Sequence, residues 1–247
     1  MNPAITKRIP WILLFGRILL FILIQSLFAF GLFLINDPTP WKSSGAFWMI
    51  SVSIANLVCL ATMTGLYRAQ GKSYWDLFRI SKENIKKDLL VLLPTLLITG
   101  PIAMLPNTLL ANAIFGGPEA TLAYLLQPVH MWIAIAGIIL FPITQGATEL
   151  GLYFMVAMPG ISKPVDQNKP AVWAYLVCAF MLGIQHAAAP LHSDASYLLW
   201  RGLMFIPFAL FIGFILRWRP RLLPYVAVVH MLMDLLFAVM VLPYAYL

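Results

Sequence analysis

The sequence predicts an all-α, polytopic transmembrane helical bundle, and three observations lead to this prediction. Of the 247 residues, 62% are hydrophobic and only 10% are charged, whereas soluble domains carry about a quarter charged residues. The apolar runs continue for about 20 residues, as membrane-spanning helices do, and do not alternate as the strands of a barrel would. The polar stretches between the runs are short, so we expect a single transmembrane domain over residues 1–247.

Seven apolar runs define the expected spans, and breaks rich in proline, glycine or charge separate them. Their ranges are 11–35, 46–67, 89–110, 129–158, 171–188, 197–216 and 223–246. Pro94, Pro101 and Pro106 predict kinks in the third span.

The fourth run differs from the others in its length. Pro128 suits its first turn, and Pro159-Gly160 end it. As a helix it would be about 45 Å long, so it must tilt or protrude from the membrane. A re-entrant or split segment here would raise the number of spans to eight.

The basic residues predict how the chain is oriented in the membrane. A cytoplasmic N-terminus would leave only Lys42 in the outside loops, as the positive-inside rule requires. The residues placed inside are Lys7, Arg8, six between positions 68 and 88, Lys163, Lys169, Arg217, Arg219 and Arg221. We therefore expect an integral protein of a prokaryotic plasma membrane. The formal net charge of +7 reports this orientation and does not indicate nucleic-acid binding.

Two smaller features of the sequence each allow two structural interpretations. The stretch 74–78 in the long basic connection either lies along the lipid headgroups as a short amphipathic piece or forms part of a solvated loop. Cys59 and Cys178 both lie in apolar runs, where a thiol is more often a packing residue than part of a disulfide.

Four ionisable residues lie within the apolar runs of three spans, namely Glu149, His186, His230 and Asp234. A charge at mid-membrane depth costs about 2.5–3.5 kcal/mol on insertion scales, so such residues usually face the bundle interior. His230 and Asp234 are four residues apart and share one helix face. These residues form a candidate catalytic site.

Structural alternatives exist for each of these polar residues. His230 and Asp234 could be an internal polar pair that joins helices, and His186 could be a packed, hydrogen-bonded histidine. Arg201 could pair with Glu149, although we expect it to snorkel to the outer surface. We expect His130 and His192 at the membrane interface.

The order of these residues resembles the CPBP (Abi) intramembrane proteases, which include the type II CAAX prenyl endopeptidases and bacteriocin-processing or immunity relatives. The family motifs are Glu-Glu-x-x-x-Arg, Phe-x-x-x-His and His-x-x-x-Asn/Asp, and the resemblance covers about residues 129–247. His230-Met-Leu-Met-Asp234 matches the third motif, and His186 matches the second, with Leu182 in place of Phe. In the first motif Glu149 is present, and two alignments are possible. One places Thr148 at the first Glu and Tyr153 at the Arg; the other, shifted by one residue, places Glu149 at the first Glu and Phe154 at the Arg.

The resemblance implies an endopeptidase that hydrolyses a hydrophobic or prenylated peptide at or inside the lipid bilayer. Glu149 would activate a water molecule, His186 would help to hold it, and His230 with Asp234 would stabilise the developing oxyanion. The departures in the first motif favour an alternative, a catalytically impaired scaffold or immunity-type binding protein. A small transporter that uses Glu149 and Asp234 for proton coupling is a third hypothesis.

We expect no cofactor at this site. Two histidines and two carboxylates also suit zinc. However, the sequence contains no His-Glu-x-x-His segment, and the two histidines come from different spans. The prediction is therefore a metal-independent site.

Overall fold

The chain folds as an all-α bundle in a computed structural model that describes residues 3–162 and 170–247. Within these ranges, six helical segments are long and apolar enough to cross a membrane. They are Arg8–Leu34, Pro40–Arg68, Ile85–Phe115, Met131–Ile161, Ala195–Trp218 and Pro220–Tyr244. A further apolar helix, Val172–Ala187, is shorter. The predicted fold class is confirmed. Each predicted run coincides with one of these segments, and the majority of the predicted ends lie within a few residues of the observed ones.

The α-helices are numbered in chain order. They are α1 Pro3–Leu34, α2 Pro40–Ser44, α3 Trp48–Arg68, α4 Ile85–Phe115, α5 Glu119–Leu125, α6 Met131–Leu150, α7 Met158–Ile161, α8 Val172–Ile184, α9 Ala195–Leu203, α10 Ile206–Trp218 and α11 Leu223–Ala238. Helix α4 continues through Pro94, Pro101 and Pro106, and it ends at Gly116, whose φ of 80° is the left-handed conformation that glycine adopts readily.

Two of the predicted spans extend two residues beyond the helical segments, because a short sheet forms there. We expected a helix to begin at Val129, just after Pro128, and the last helix to continue to Tyr246. Instead Val129–His130 (β1) pairs in parallel with Ala245–Tyr246 (β2). The sheet hydrogen bonds hold both short segments in the extended conformation, so α6 begins at Met131. The last helix, α11, ends at Ala238 and is followed by a 3₁₀ turn over Val239–Tyr244.

The fourth span contains a wide turn that the sequence did not predict. Between α6 and α7 the segment Gly151–Ala157 is a π-helix, a distortion that is frequent at functional sites. The Tyr74 hydroxyl donates to the carbonyl of Ala147, four residues before this segment, over 2.9 Å. Tyr74 is fully buried whereas its neighbour Trp75 is half exposed. The 74–78 stretch is a 3₁₀ helix that inserts one side chain into the bundle, which neither sequence alternative described.

Helix α8 stops short of a full crossing, and the chain after it is held inside the bundle. Its 13 residues are followed by the 3₁₀ turn Gln185–Ala187, about 24 Å in all. Gln25 of α1 donates to the Leu191 carbonyl over 2.9 Å and accepts from the Leu191 N–H over 2.7 Å. Backbone groups need partners within a membrane. The buried Gln25 supplies them and fixes the loop that follows His186.

The connections predicted to lie inside the cell share one end of the bundle. Pro10 of α1 lies so close to Gly160 of α7 that an added Cβ would come within 2.4 Å of the proline ring. Arg221, after α10, pairs with buried Asp88 at the start of α4, with 2.6 Å between Nε and Oδ1. The β1–β2 pair lies at the other end of the α6–α7 span, so the two chain ends are on opposite sides. Lys163 and Lys169 lie outside the described residues.

The largest apolar core packs the π segment against α1, α8 and α10. Tyr153 and Phe154 are fully buried there, together with Leu14 and Ile212. Gly213 of α10 allows the close approach, because a Cβ at that position would lie 2.4 Å from the Phe154 ring. This core borders the polar residues of the fourth span and holds them in place.

Candidate functional site

Glu149 is at the centre of a buried polar cluster where α1, α3, α6, α8 and α11 meet. Its side chain is 1% exposed. The Oε1 atom accepts hydrogen bonds from Gln145 Nε2 (2.5 Å), Gln185 Nε2 (2.7 Å) and Arg17 Nη1 (3.3 Å). Such bonds stabilise the ionised carboxylate. Gln145 lies one helical turn before Glu149, and Gln185 is brought to it by the 3₁₀ turn after α8.

The other three predicted site residues lie around the same carboxylate. His230 Nε2 is 2.9 Å from Glu149 Oε2 and 3.4 Å from Asp234 Oδ2, which are ion-pair distances. His186 Nε2 is 4.0 Å from Glu149 Oε1. The structure therefore brings Glu149, His186, His230 and Asp234 together, and they are not separate polar pairs in unrelated helix contacts.

The position of His186 follows from the end of α8. Its Nδ1 lies 2.9 Å from the Leu182 carbonyl and 3.2 Å from the Gly183 carbonyl, so Nδ1 carries the hydrogen. In the neutral ring Nε2 then presents a lone pair towards Glu149. From its place in the sequence, His186 should lie deeper in the membrane than Glu149. In the structure the two side chains nevertheless approach each other, because the 3₁₀ turn that ends α8 places His186 Nε2 4.0 Å from Glu149 Oε1.

The cluster lines a cavity of about 230 Å³ between the helices. All four predicted site residues, Gln145, Gln185 and Arg201 contribute to its wall, and the rest is mainly aromatic and aliphatic. Met104 of α4 belongs to this wall and is 62% exposed on the outer surface. The cavity thus extends from the buried carboxylate towards the apolar surface of α4.

Arg17 of α1 is the most important residue that the sequence analysis did not place in the site. It is completely buried, and its Nη2 donates to Asn56 Oδ1 (2.7 Å) and Gln145 Oε1 (2.8 Å). The Tyr153 ring lies 5.8 Å from its Cζ atom. Tyr153 stands where the resembled motif has arginine, so the guanidinium beside Glu149 comes from a different helix. A lone arginine within the first apolar run was the available signal.

Arg201 corrects another expectation, because it does not snorkel to the surface. It is 6% exposed, and the Trp200 and Phe205 rings lie 5.7 and 5.4 Å from its Cζ atom. It also does not pair with Glu149, since within the described ranges no carboxylate lies within 4.0 Å of its nitrogens. Its Nη1 is 3.8 Å from Met204 Sδ, and its Nε has no hydrogen-bond partner there.

His130 and His192 do not line the cavity. His130 caps α6, its Nδ1 accepting from the Trp132 N–H over 3.4 Å. His192 packs between the rings of Tyr124 and Tyr197. Burial lowers the pKa of His192. The Tyr124 hydroxyl donates to Asp194, and this bond lowers the pKa of Asp194 and raises that of Tyr124. We did not predict this second cluster.

Comparison with known proteins adds no relative. No family model matches the chain, and neither the curated proteins nor the solved structures searched give a match. In the part of the chain that the structure describes, no group of three or more His, Cys, Asp or Glu side chains has an arrangement that would hold a metal ion. The CPBP resemblance and the metal-independent site remain predictions.

Proposed function

We propose that the protein hydrolyses a peptide bond within the membrane, in a hydrophobic or prenylated peptide. One observation carries this proposal: Glu149, His186, His230 and Asp234, from three spans, line one cavity with apolar walls. Costly polar groups that converge on a cavity are typical of sites where chemistry occurs. The apolar wall suits an apolar substrate that arrives from the bilayer, and the CPBP resemblance supports the same reaction.

The geometry supports a division of roles between the two histidines. Glu149 Oε1 and the Nε2 lone pair of His186 are both acceptors, 4.0 Å apart. A water molecule that replaces one of the three donors now on Oε1 could donate to both. Transfer of its proton to one of them would leave hydroxide to attack the scissile carbonyl, and the same proton would later protonate the leaving amine. His230, beside two carboxylates, is favoured in its protonated form and would stabilise the oxyanion.

A second function, a binding or scaffold protein that does not cleave, is favoured by one specific observation. Glu149 Oε1 already accepts three hydrogen bonds, one of them from a guanidinium. A carboxylate satisfied in this way is a weak base. Such a residue can also join α1, α6 and α8 without any reaction.

The test is cleavage of internally quenched peptides by the purified protein in lipid nanodiscs. One peptide carries a farnesylated cysteine near its C-terminus, and another is a plain hydrophobic segment. Glu149→Gln and His186→Gln should each lower turnover by about two to four orders of magnitude. The His186 variant leaves the Arg17–Glu149 pair intact, so its effect does not depend on breaking a buried ion pair.

Glu83→Gln is the matched control, because Glu83 is exposed and does not line the cavity. It should cleave at the wild-type rate, and a strong chelator should change neither rate. Cleavage that persists undiminished in folded Glu149→Gln would refute the assignment of Glu149. Peptide binding by the wild type without cleavage would favour the scaffold function instead.

A further inference from the structure

Arg201 is a buried cation that forms no ion pair with a carboxylate of the described residues, although the Tyr197 side chain interacts with it. Within residues 3–162 and 170–247, Glu149 is paired with Arg17 and Asp234 with His230. By contrast, no carboxylate lies within pairing distance of Arg201. The rings of Trp200 and Phe205 stabilise its guanidinium but cannot neutralise it. Asp234 and Glu149 act on this charge only from beyond contact distance. A buried charge without a partner in contact is costly, so an anion in contact with the guanidinium would be favoured.

The Arg201 side chain has access to the cavity, where a ligand could meet it. Arg201 forms part of the cavity wall, next to Asn107, Trp200 and Phe205. Its Nε has no hydrogen-bond partner among the described residues, although the side chain is more than nine-tenths buried. A guanidinium with free N–H groups binds a carboxylate or phosphate through two parallel hydrogen bonds.

We propose that the cavity binds a single-chain anionic lipid, with its carboxylate or phosphate headgroup on Arg201 and its alkyl chain along the apolar wall. The cavity of about 230 Å³ is smaller than the roughly 300–1,000 Å³ of drug-sized sites. It therefore has room for a headgroup and part of one alkyl chain, and not for two chains. The exposed Met104 at the cavity wall marks the route from the bilayer. This site does not depend on hydrolysis at Glu149.

The experiment measures binding of radiolabelled hexadecanoate, hexadecyl phosphate and hexadecanol to the full-length protein in phosphatidylcholine nanodiscs. The three probes share one alkyl chain, so the affinity ratio of an anionic probe to hexadecanol isolates recognition of the headgroup. In the wild type this ratio should be about tenfold to a hundredfold. The tighter of the two anionic probes identifies whether carboxylate or phosphate is preferred.

Variants locate the headgroup. Arg201→Gln should reduce the affinity ratio to about one. Arg201→Lys should give an intermediate ratio, because an ammonium group cannot form bidentate hydrogen bonds with the anion. Arg79→Gln, which removes an exposed arginine, controls for attraction to the basic protein surface and should keep the wild-type ratio. The probes contain no peptide bond and the measurement is binding, so the result does not depend on the proposed hydrolysis.

Two results would overturn the proposal: a wild-type protein that binds hexadecanol as tightly as the anionic probes, or an Arg201→Gln variant that retains the full ratio. If Arg201→Gln does not fold, as judged by gel filtration, the Arg201→Lys variant and the wild-type ratio decide the question. An unchanged ratio in Arg201→Lys would then place the headgroup elsewhere and refute the assignment to Arg201.

Discussion

Arg17 and Glu149 are oppositely charged residues 132 positions apart in the chain, and both side chains are almost completely buried. The cost of removing either charge from water is several kcal/mol, and only good geometry with further hydrogen bonds offsets it. Asn56, Gln145 and Gln185 supply those bonds. Arg17 is therefore a positioning residue: it holds the Glu149 carboxylate in one orientation next to the two histidines.

Replacing Arg17 by Gln should destabilise the protein by about 3–5 kcal/mol, because the buried Glu149 then loses its permanently charged partner and keeps only His230. The measurement is the thermal unfolding midpoint in a neutral detergent. The double variant Arg17→Gln, Glu149→Gln should recover part of this loss, since it removes both charges. Arg8→Gln, near the exposed start of the same helix, is the control and should change stability by less than about 0.5 kcal/mol.

If the double variant were less stable than Arg17→Gln alone, the pair would not be the source of the stability.

Some residues of the site could be predicted from the sequence, and others could not. Glu149, His186, His230 and Asp234 were predictable because a charge within an apolar run is conspicuous. Their partners were not, because Arg17 and Gln185 meet Glu149 only through helix packing that no local pattern encodes.

Among the elements, the π-helix Gly151–Ala157 and the Tyr74 side chain depend on each other. A Cβ at Gly151 would lie 2.1 Å from the Tyr74 hydroxyl, so glycine is required where this hydroxyl approaches the helix. Gly151→Ala should therefore cost about 1–3 kcal/mol, through overpacking and loss of the bond to the Ala147 carbonyl. Thermal unfolding measures the cost, and the same substitution should cost less in a Tyr74→Phe background.

Gly65→Ala is the matched control for Gly151→Ala, because Gly65 is also helical but has open space around it. That substitution should be neutral, or stabilising by up to about 1 kcal/mol through helix propensity. Equal effects at the two glycines would argue against the role of Tyr74.

The cluster between α5 and α9 should make stability depend on pH through His192. Burial lowers the pKa of His192, while the Tyr124 carbonyl and Asp194 act in the opposite direction and Lys42 in the same one. The unfolded chain therefore takes up the proton first, and stability is lost as pH falls below the unfolded value of about 6.5. The hydrogen bond from Tyr124 lowers the pKa of Asp194, so its contribution is lost only below about pH 4.

The measurement is the unfolding midpoint of the wild type and of His192→Gln between pH 8 and pH 5. The other three histidines are present in both proteins, so the difference between the two curves isolates His192. This difference should shrink as the pH falls below about 6.5, since the wild type alone loses the contribution of a neutral ring. Parallel curves over the whole range would show that His192 does not titrate differently on folding.

At the scale of the whole molecule, hydropathy alone predicted most of the architecture. Long apolar runs must be helical in a membrane, so the order and approximate limits of the helices follow from the sequence. The exceptions depend on contacts between distant segments. The β1–β2 pair shortened two predicted helices, Gln25 holds the loop after the short α8, and the π-helix accompanies the Tyr74 contact. Each of these contacts joins residues more than 70 positions apart.

Orientation in the membrane is the last prediction, and the arrangement of the loops makes it testable with two positions. Ser81 and Ser193 are exposed and lie in connections at opposite ends of the bundle, and both native cysteines are buried, so background labelling should be low. With a cytoplasmic N-terminus, as the positive-inside rule requires, a membrane-impermeant maleimide added to intact cells should label Ser193→Cys and not Ser81→Cys. Opening the cells should make both accessible. Labelling of Ser81→Cys in intact cells would show that the basic end faces outwards, against the rule.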